Sequence, residues 1–289
     1  QMRGMVVIGA NVKTVCEALV ASITSINLSE PLSNSQADFM RQLWNEFPIL
    51  YFPKQSLEPT NLRSFGEVFG RPEPEPPMNE IYLQEGEDVI SYVGNIHPDG
   101  TPYYWGNQRA TSWHTDQSYI KTPVSAGILH CLQIPNTGGG TMFCNMYAAF
   151  DSLSDDMKDK IKDLRALHCY SSGPGGSAGP PLDPGRHGEW PVVLHPIVRT
   201  HPLSGRSALY VNSIHTFDIE GMESGEANTL LNALIDHATA DRFVYYHPWE
   251  VGDVILWDQR CLMHKSAADY PTDQTRLLMR VKIAGDAPF

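Results

Sequence analysis

The sequence predicts a mainly β protein, a jelly-roll barrel braced by flanking helices. Three observations carry this. Short apolar runs of strand length recur along the chain; turn residues separate them, with 22 Pro and 23 Gly in 289 residues; and helical periodicity is confined to a few segments, mostly early and outside the strand-rich part. No internal repeat and no convincing linker divides the chain, so residues 1–289 read as one domain, a size that all-β barrels reach as single units. Such a chain can hide about three-quarters of its unfolded surface.

Residues 1–35 carry only short apolar runs and a polar Ser/Asn loop. Ser35 then suits the cap of a helix over 36–47, in which Ala37, Met40, Leu43, Trp44 and Phe47 recur at helical spacing. Pro48 to Phe52 form a short buried strand, and residues 59–69 a second amphipathic helix with Leu62, Phe65 and Phe69 on one side. The run Arg71-Pro72-Glu73-Pro74-Glu75-Pro76-Pro77 excludes helix and central strand, so it is read as a stiff surface loop. A strand over 89–93 and a loop over 94–110 follow.

Strands over 124–134 and 141–146 are joined by a Pro/Asn/Gly turn at 135–140. Ser154 caps a helix over about 155–167, striped by Leu153, Met157, Ile161 and Leu164, with Asp155 and Asp156 at its positive end. Residues 171–190 are a Gly/Pro-rich loop of a length usually seen in lids. Strands near 191–199 and 207–212, a helix over 223–239 with Leu230, Leu231, Leu234 and Ile235, and strands near 243–247, 253–258 and 275–283 complete the chain.

A formal net charge of -12 argues against nucleic-acid or anionic-membrane partners. Five widely spaced cysteines, an odd number without a CxxC pair, read as reduced thiols. With no apolar run of membrane-spanning length and no signal-peptide pattern, the expected location is the cytoplasm.

The chemistry centres on Trp113-His114-Thr115-Asp116. In an extended strand, residues two apart share a face, so His114 and Asp116 would converge on one point. By itself this pair is more often a structural hydrogen bond than a metal site. A third ligand from far along the chain would make it a metal site, and His264, where a strand runs into a turn, fits that place. Two imidazoles and a carboxylate on one octahedral face leave three adjacent positions open, which favours non-haem Fe(II) in oxygen chemistry. Arg276 and Arg280 lie on one face of a strand whose other face carries Leu277, Met279, Val281 and Ile283. A guanidinium there offers a two-pronged clamp for a carboxylate.

These residues, with Gly138-Gly139-Gly140-Thr141, Ala149-Phe150-Asp151-Ser152-Leu153, His201-Pro202-Leu203-Ser204-Gly205-Arg206, Leu209-Tyr210-Val211-Asn212, Gly252-Asp253, Trp257-Asp258 and Gly285-Asp286-Ala287-Pro288, resemble the taurine and 2,4-dichlorophenoxyacetate dioxygenases, the TauD/TfdA family of Fe(II)/2-oxoglutarate enzymes, from about residue 45 to the C-terminus. The resemblance implies a double-stranded β-helix, a cupin-like jelly roll. It implies His114, Asp116 and His264 as iron ligands, Arg276 and Thr141 as the holders of the distal carboxylate of 2-oxoglutarate, Arg280 as a substrate-binding arginine, and Trp257 beside the iron. Met78, with its neighbours Pro77 and Asn79, stands where the taurine-type pattern has a substrate-binding histidine; this departure argues against a sulfonate substrate. Among the other histidines only His215 is placed to approach the pocket.

The implied reaction uses O2 and 2-oxoglutarate to oxidise an unactivated C–H bond of a small anionic substrate, an organic acid or amino acid. Hydroxylation is expected, with succinate and CO2 as coproducts; desaturation or ring closure is the variant outcome. Loops 71–80, 94–110 and 171–190 would cover the mouth, offering Tyr103, Tyr104, Trp105 and Trp190 to the substrate, with Tyr104 the tentative contact. A homodimer or tetramer would also resemble the family. From other classes, a zinc hydrolase lacks an HExxH helix here, and a non-catalytic anion-binding barrel has no use for a complete triad.

Overall fold

The computed structural model describes all residues except 1–5, 8–9, 17, 77–81, 104–109, 172 and 174–190. The expected 171–190 lid lies almost wholly outside that range, as do Met78, Tyr104, Trp105 and Trp190. In chain order the first half contains β1 (Val6–Val7), β2 (Ala10–Cys16), β3 (Val20–Thr24), α1 (Asn34–Glu46), β4 (Ile49–Phe52), α2 (Pro59–Glu67), β5 (Ile90–Gly94), β6 (Ala126–Gln133) and β7 (Thr141–Asn145). Then come α3 (Met146–Asp151), α4 (Asp155–Ile161), β8 (Arg165–His168), β9 (Val193–Pro196), β10 (Val198–Thr200), β11 (Ser207–Leu209) and β12 (Thr216–Ile219). The chain closes with α5 (Ser224–Ala238), β13 (Val244–His247), β14 (Val254–Asp258), β15 (Leu262–Ser266) and β16 (Leu277–Ile283).

Eight strands form the main sheet, in the order β1-β2-β3-β4-β14-β6-β16-β5; smaller sheets β13-β7-β15, β12-β8-β9 and β10-β11 complete the mainly β, jelly-roll architecture. The main sheet is buried on both faces, which is why its central strands read as nearly continuous apolar runs. On one face Ile128, Leu256, Met279 and Val281 pack with Met40, Leu43 and Trp44 of α1 and Leu62 and Phe65 of α2. On the other, Leu129, Trp257 and Leu278 pack with Phe143 and Met263 of the smaller sheet and the apolar stripe of α5. Strand β16 thus has its expected two faces, and its Arg280/Lys282 face turns into the barrel rather than to solvent.

Several elements depart from the sequence expectation. Ser33, not Ser35, caps α1: its hydroxyl accepts from Gln36 N–H (3.3 Å) while the Gln36 side chain accepts from Ser33 N–H (2.9 Å), a reciprocal capping box. The helix over 155–167 stops at Ile161, because Arg165–His168 is recruited as β8 between β9 and β12. The weakly patterned start of the chain forms β2 and β3, with Val20, Ala21 and Ile23 fully buried. The strand near 191–199 is two strands, β9 and β10, and His264 lies within β15 rather than in a turn.

The proline-rich run is also corrected. Residues 71–76 lie against the sheet: Pro72 bridges Ile283, Ala284 N–H donates to Arg71 O (2.8 Å), and Glu73 N–H donates to Lys282 O (2.8 Å). Prolines at 72, 74 and 76 leave only Glu73 and Glu75 with amide donors after Arg71, and Glu75 N–H donates to Asp88 O (3.0 Å). Alternation therefore turns a segment with few donors into an edge that is fully used. Among the described residues no helix is long and apolar enough to cross a membrane, and the five cysteines are free thiols.

Candidate metal and cosubstrate site

The two histidines meet through the backbone. His114 N–H donates to His264 O (3.1 Å) and His264 N–H to His114 O (2.8 Å), a narrow antiparallel pair that sets the imidazoles side by side, ring centroids 4.3 Å apart. The extended conformation lasts only this far. Asp116 opens a turn in which Gln117 takes φ +58°, and the turn brings the carboxylate back under the rings. Asp116 Oδ1 lies 3.6 Å from His114 Nε2, and Oδ2 lies 3.9 Å from His264 Nε2. The three donor atoms all fall within 4.8 Å of one another, and among the described residues no other group of His, Cys, Asp or Glu converges in this way. They are too far apart to hydrogen-bond and close enough for one ion to sit among them.

The surroundings prepare the donors. His114 Nδ1 lies 2.8 Å from Ser112 O, which fixes the proton on Nδ1 and leaves the Nε2 lone pair facing the site. Burial, together with the neighbouring His114, pushes His264 down to about 3 against the pull of Asp116, so this imidazole is neutral. For Asp116 burial alone favours the neutral acid, but His264, Arg280, His114 and Lys282 outweigh it and hold the carboxyl below the usual carboxylate range. Neutral imidazole and ionised carboxylate are the forms that ligate metal.

Gln259 was not singled out from the sequence. Its Nε2 donates to Asp116 Oδ2 (2.7 Å), and its Oε1 accepts from Asp116 N–H (3.1 Å). The turn that carries it, between β14 and β15, is braced by Asp258, which accepts from Arg260 N–H (2.8 Å) and Arg260 Nε (2.9 Å) and meets His201 Nε2 (3.0 Å).

Arg276 immediately precedes β16. Its Nε donates to Gly139 O (2.7 Å), its Nη2 to Thr141 Oγ1 (3.1 Å), and its N–H to Asn95 Oδ1 (2.8 Å). Thr141 Oγ1 also accepts from Trp249 Nε1 (2.9 Å), so both hydroxyl lone pairs are used and its proton is left to donate. Gly138 and Gly139 take φ +72° and +77°, the left-handed region that favours glycine, and this aims the Gly139 carbonyl at the guanidinium. Asp269 fixes that turn by accepting from Gly139 N–H (2.7 Å). Arg276 is only 3% exposed, and among the described residues no carboxylate lies within ion-pair distance of it. A buried cation without a counter-anion fits the terminal carboxylate of a bound organic acid.

His114, His264, Thr141, Trp257, Arg276 and Arg280 line one cavity, with Val93, Gly94, Ala110, Leu129, Ser266 and Tyr270. The structure thus assembles most of the residues expected from sequence. Trp257 is 1% exposed, its ring 4.9 Å from that of His264, and it forms a wall of the cavity. Arg280 lines the cavity and is also ion-paired, Nη2 to Glu75 Oε1 at 2.8 Å. His215 approaches the triad without lining the cavity; burial and His114 push it down to about 3, and its Nδ1 accepts from Ser171 N–H. Tyr103, expected to be offered to the substrate, is instead buried against Tyr82 and His97, because its backbone returns to pair with Asn95.

Comparison with known proteins agrees with this geometry. The profile of the family described as taurine catabolism dioxygenase TauD, TfdA family matches residues 11–282. The (S)-phenoxypropionate/alpha-ketoglutarate-dioxygenase of Sphingobium herbicidovorans is 30% identical over 283 residues, 92% of each chain. The alpha-ketoglutarate-dependent 2,4-dichlorophenoxyacetate dioxygenase of Cupriavidus pinatubonensis is 30% identical over 274 residues, 92% of this chain and 95% of the relative. The crystal structure of AAD-2 in complex with Mn(II) and N-oxalylglycine superposes with a TM-score of 0.81 at 28% identity, over 96% of this chain and 98% of that one. Alpha-ketoglutarate is 2-oxoglutarate, and this chain belongs to the TauD/TfdA family of 2-oxoglutarate-dependent dioxygenases.

Proposed function

We propose that the protein is an Fe(II)- and 2-oxoglutarate-dependent oxygenase that hydroxylates an unactivated C–H bond of a small organic acid, with succinate and CO2 as coproducts. The observation that carries the proposal is the His114–Asp116–His264 donor set, whose two imidazoles line the same cavity as Arg276, a buried arginine with no counter-anion among the described residues. The donor set suits Fe(II), which would supply the activation of O2.

The protein's own part is positioning. His114, Asp116 and His264 would hold the metal on one face and leave the cavity side open. Arg276 would receive the far carboxylate of 2-oxoglutarate through its guanidinium, with the Thr141 hydroxyl donating beside it. Trp257 and Leu129 would keep that region dry, and the dry setting strengthens the Arg276–carboxylate attraction. Arg280, on the same cavity wall, would face the acidic group of the substrate. Aryloxyalkanoic acids, the substrates in the names of the relatives, are the first class to screen.

Anaerobic titration with Fe(II) and 2-oxoglutarate tests this through the weak visible charge-transfer band of the chelated metal. The wild type should develop the band, His114→Ala should lose it, and Arg276→Ala should require at least about tenfold more 2-oxoglutarate, the loss of one buried charge-assisted contact. Tight metal binding with no band at saturating 2-oxoglutarate would contradict the assignment.

A further inference from the structure

Farther along β16 from Arg276 lies a charge arrangement that the oxygenase reaction does not require. On β16, Arg280 and Lys282 both point into the barrel, and one carboxylate, Glu75, lies between them. Arg280 Nη2 donates to Glu75 Oε1 (2.8 Å), Lys282 Nζ to Glu75 Oε2 (2.9 Å), and Ser91 Oγ to Glu75 Oε1 (2.7 Å). Arg280 Nε is held in turn by Ser91 Oγ (3.2 Å), which sits across the ladder in register with it. The group is buried: Glu75 is 8% exposed, Lys282 3% and Ser91 0%. Among the described residues Nη1 of Arg280 makes no hydrogen bond to protein, while its side chain lines the cavity.

Buried charges must be compensated, so the sum at this site constrains what can bind. A divalent ion, Asp116, the two carboxylates of 2-oxoglutarate and Arg276 cancel. Among the described residues, Arg280, Lys282 and Glu75 do not: two cations share one anion, and one positive charge is left facing the cavity through Arg280. A singly charged acid closes the sum. A doubly charged one leaves an excess negative charge in a dry site, beside a carboxylate that cannot withdraw. Glu75 is fixed by its backbone bond to Asp88 O as well as by the side chains of Arg280, Lys282 and Ser91.

We propose that Glu75 sets the charge of the substrate-facing wall, so that the enzyme takes singly charged organic acids at Arg280 and rejects doubly charged analogues of the same shape. This rests on the oxygenase reading above and assigns its substrate class. Glu75 acts through Arg280 and Lys282 and is a positioning residue.

The test is calorimetric binding of two probes that share a phenoxymethyl body and differ in head group, phenoxyacetate and phenoxymethylphosphonate, to the Mn(II)- and 2-oxoglutarate-loaded protein under anaerobic conditions, at a pH where the phosphonate carries two charges. Wild type should bind phenoxyacetate and disfavour the phosphonate. Glu75→Gln should move the preference toward the phosphonate by about tenfold or more. The double variant Glu75→Gln with Lys282→Met restores a single net charge and should return the preference to within about threefold of wild type. That reversal is not expected of a residue that only supports packing. Lys282→Met alone, which leaves no net charge, should weaken phenoxyacetate about tenfold with 2-oxoglutarate binding unchanged, and this arm decides the matter if Glu75→Gln does not fold.

Equal effects on both probes, a double variant that stays shifted, or a wild type that binds the phosphonate as well as the acetate overturns the charge-setting role. So does a wild type that binds 2-oxoglutarate but neither probe. Failure of the loaded wild type to bind 2-oxoglutarate at all overturns the oxygenase reading beneath it, and titration of 2-oxoglutarate in the same preparation separates the two.

Discussion

Asp116 owes its place to a single side chain: Gln259 holds both its backbone amide and its carboxylate. A carboxylate two residues from a histidine could swing to solvent, and the turn at Gln117 would let it. Gln259→Ala removes the restraint without touching the three donors. Outer partners of this kind are typically worth about 10–100-fold in metal affinity. Mn(II) binding followed by electron paramagnetic resonance should therefore weaken by about that factor, with the fold intact by circular dichroism. Unchanged affinity would show that the turn alone holds the carboxylate. His114 and Asp116 were legible in the sequence because their relation is local. Gln259 was not, since its partner is 143 residues away and glutamine in a turn has no distinctive pattern. Glu75 was hidden for the same reason, and its proline neighbours pointed to a surface loop.

At the scale of elements, the strand that carries the arginines was readable from its alternation alone, because period two is a property of the backbone. What the alternation could not tell was which face met water. That depends on α1 and α2 covering the apolar face, a tertiary fact. The same limit explains the overrun of α4: Leu164 keeps helical spacing, yet the ladders to β9 and β12 claim the next residues. Where two elements interlock, a prediction can be made. Gly127 on β6 faces Trp257 on β14, and a Cβ at Gly127 would fall 2.3 Å from the indole ring. Gly127→Ala must push the ring toward the cavity, at a cost of about 1–3 kcal/mol for overpacking. Urea unfolding should show that loss, and adding Trp257→Phe should recover part of it. A fully additive double variant would mean the two residues do not share the space.

The molecule as a whole carries a row of buried imidazoles outside the His114–Asp116–His264 cluster. His168 and His195 lie with ring centroids 5.1 Å apart, and Tyr210 stacks on His168. Burial pushes His195 down to about 4 and His215 to about 3, and holds His168 well below its ordinary value. In the unfolded chain each titrates near 6.5. Below that pH the unfolded state binds protons that the folded state refuses, so stability falls as pH falls. The loss begins near pH 6.5 and continues until the folded groups themselves protonate, at about 4 for His195 and about 3 for His215. At pH 5 His195 and His215 each withdraw about 2 kcal/mol, an order-of-magnitude figure from the linkage slope. Set against the 5–15 kcal/mol typical of folded proteins, these two, with His168 acting in the same direction, make the metal-free protein acid-sensitive well above the range where carboxylates titrate. Thermal unfolding of the metal-free protein should therefore drop steeply between pH 6.5 and 5, and His215→Gln should flatten the slope over that interval. A transition temperature that stays level down to pH 5 would mean that these imidazoles take up protons in the folded state and that water reaches them.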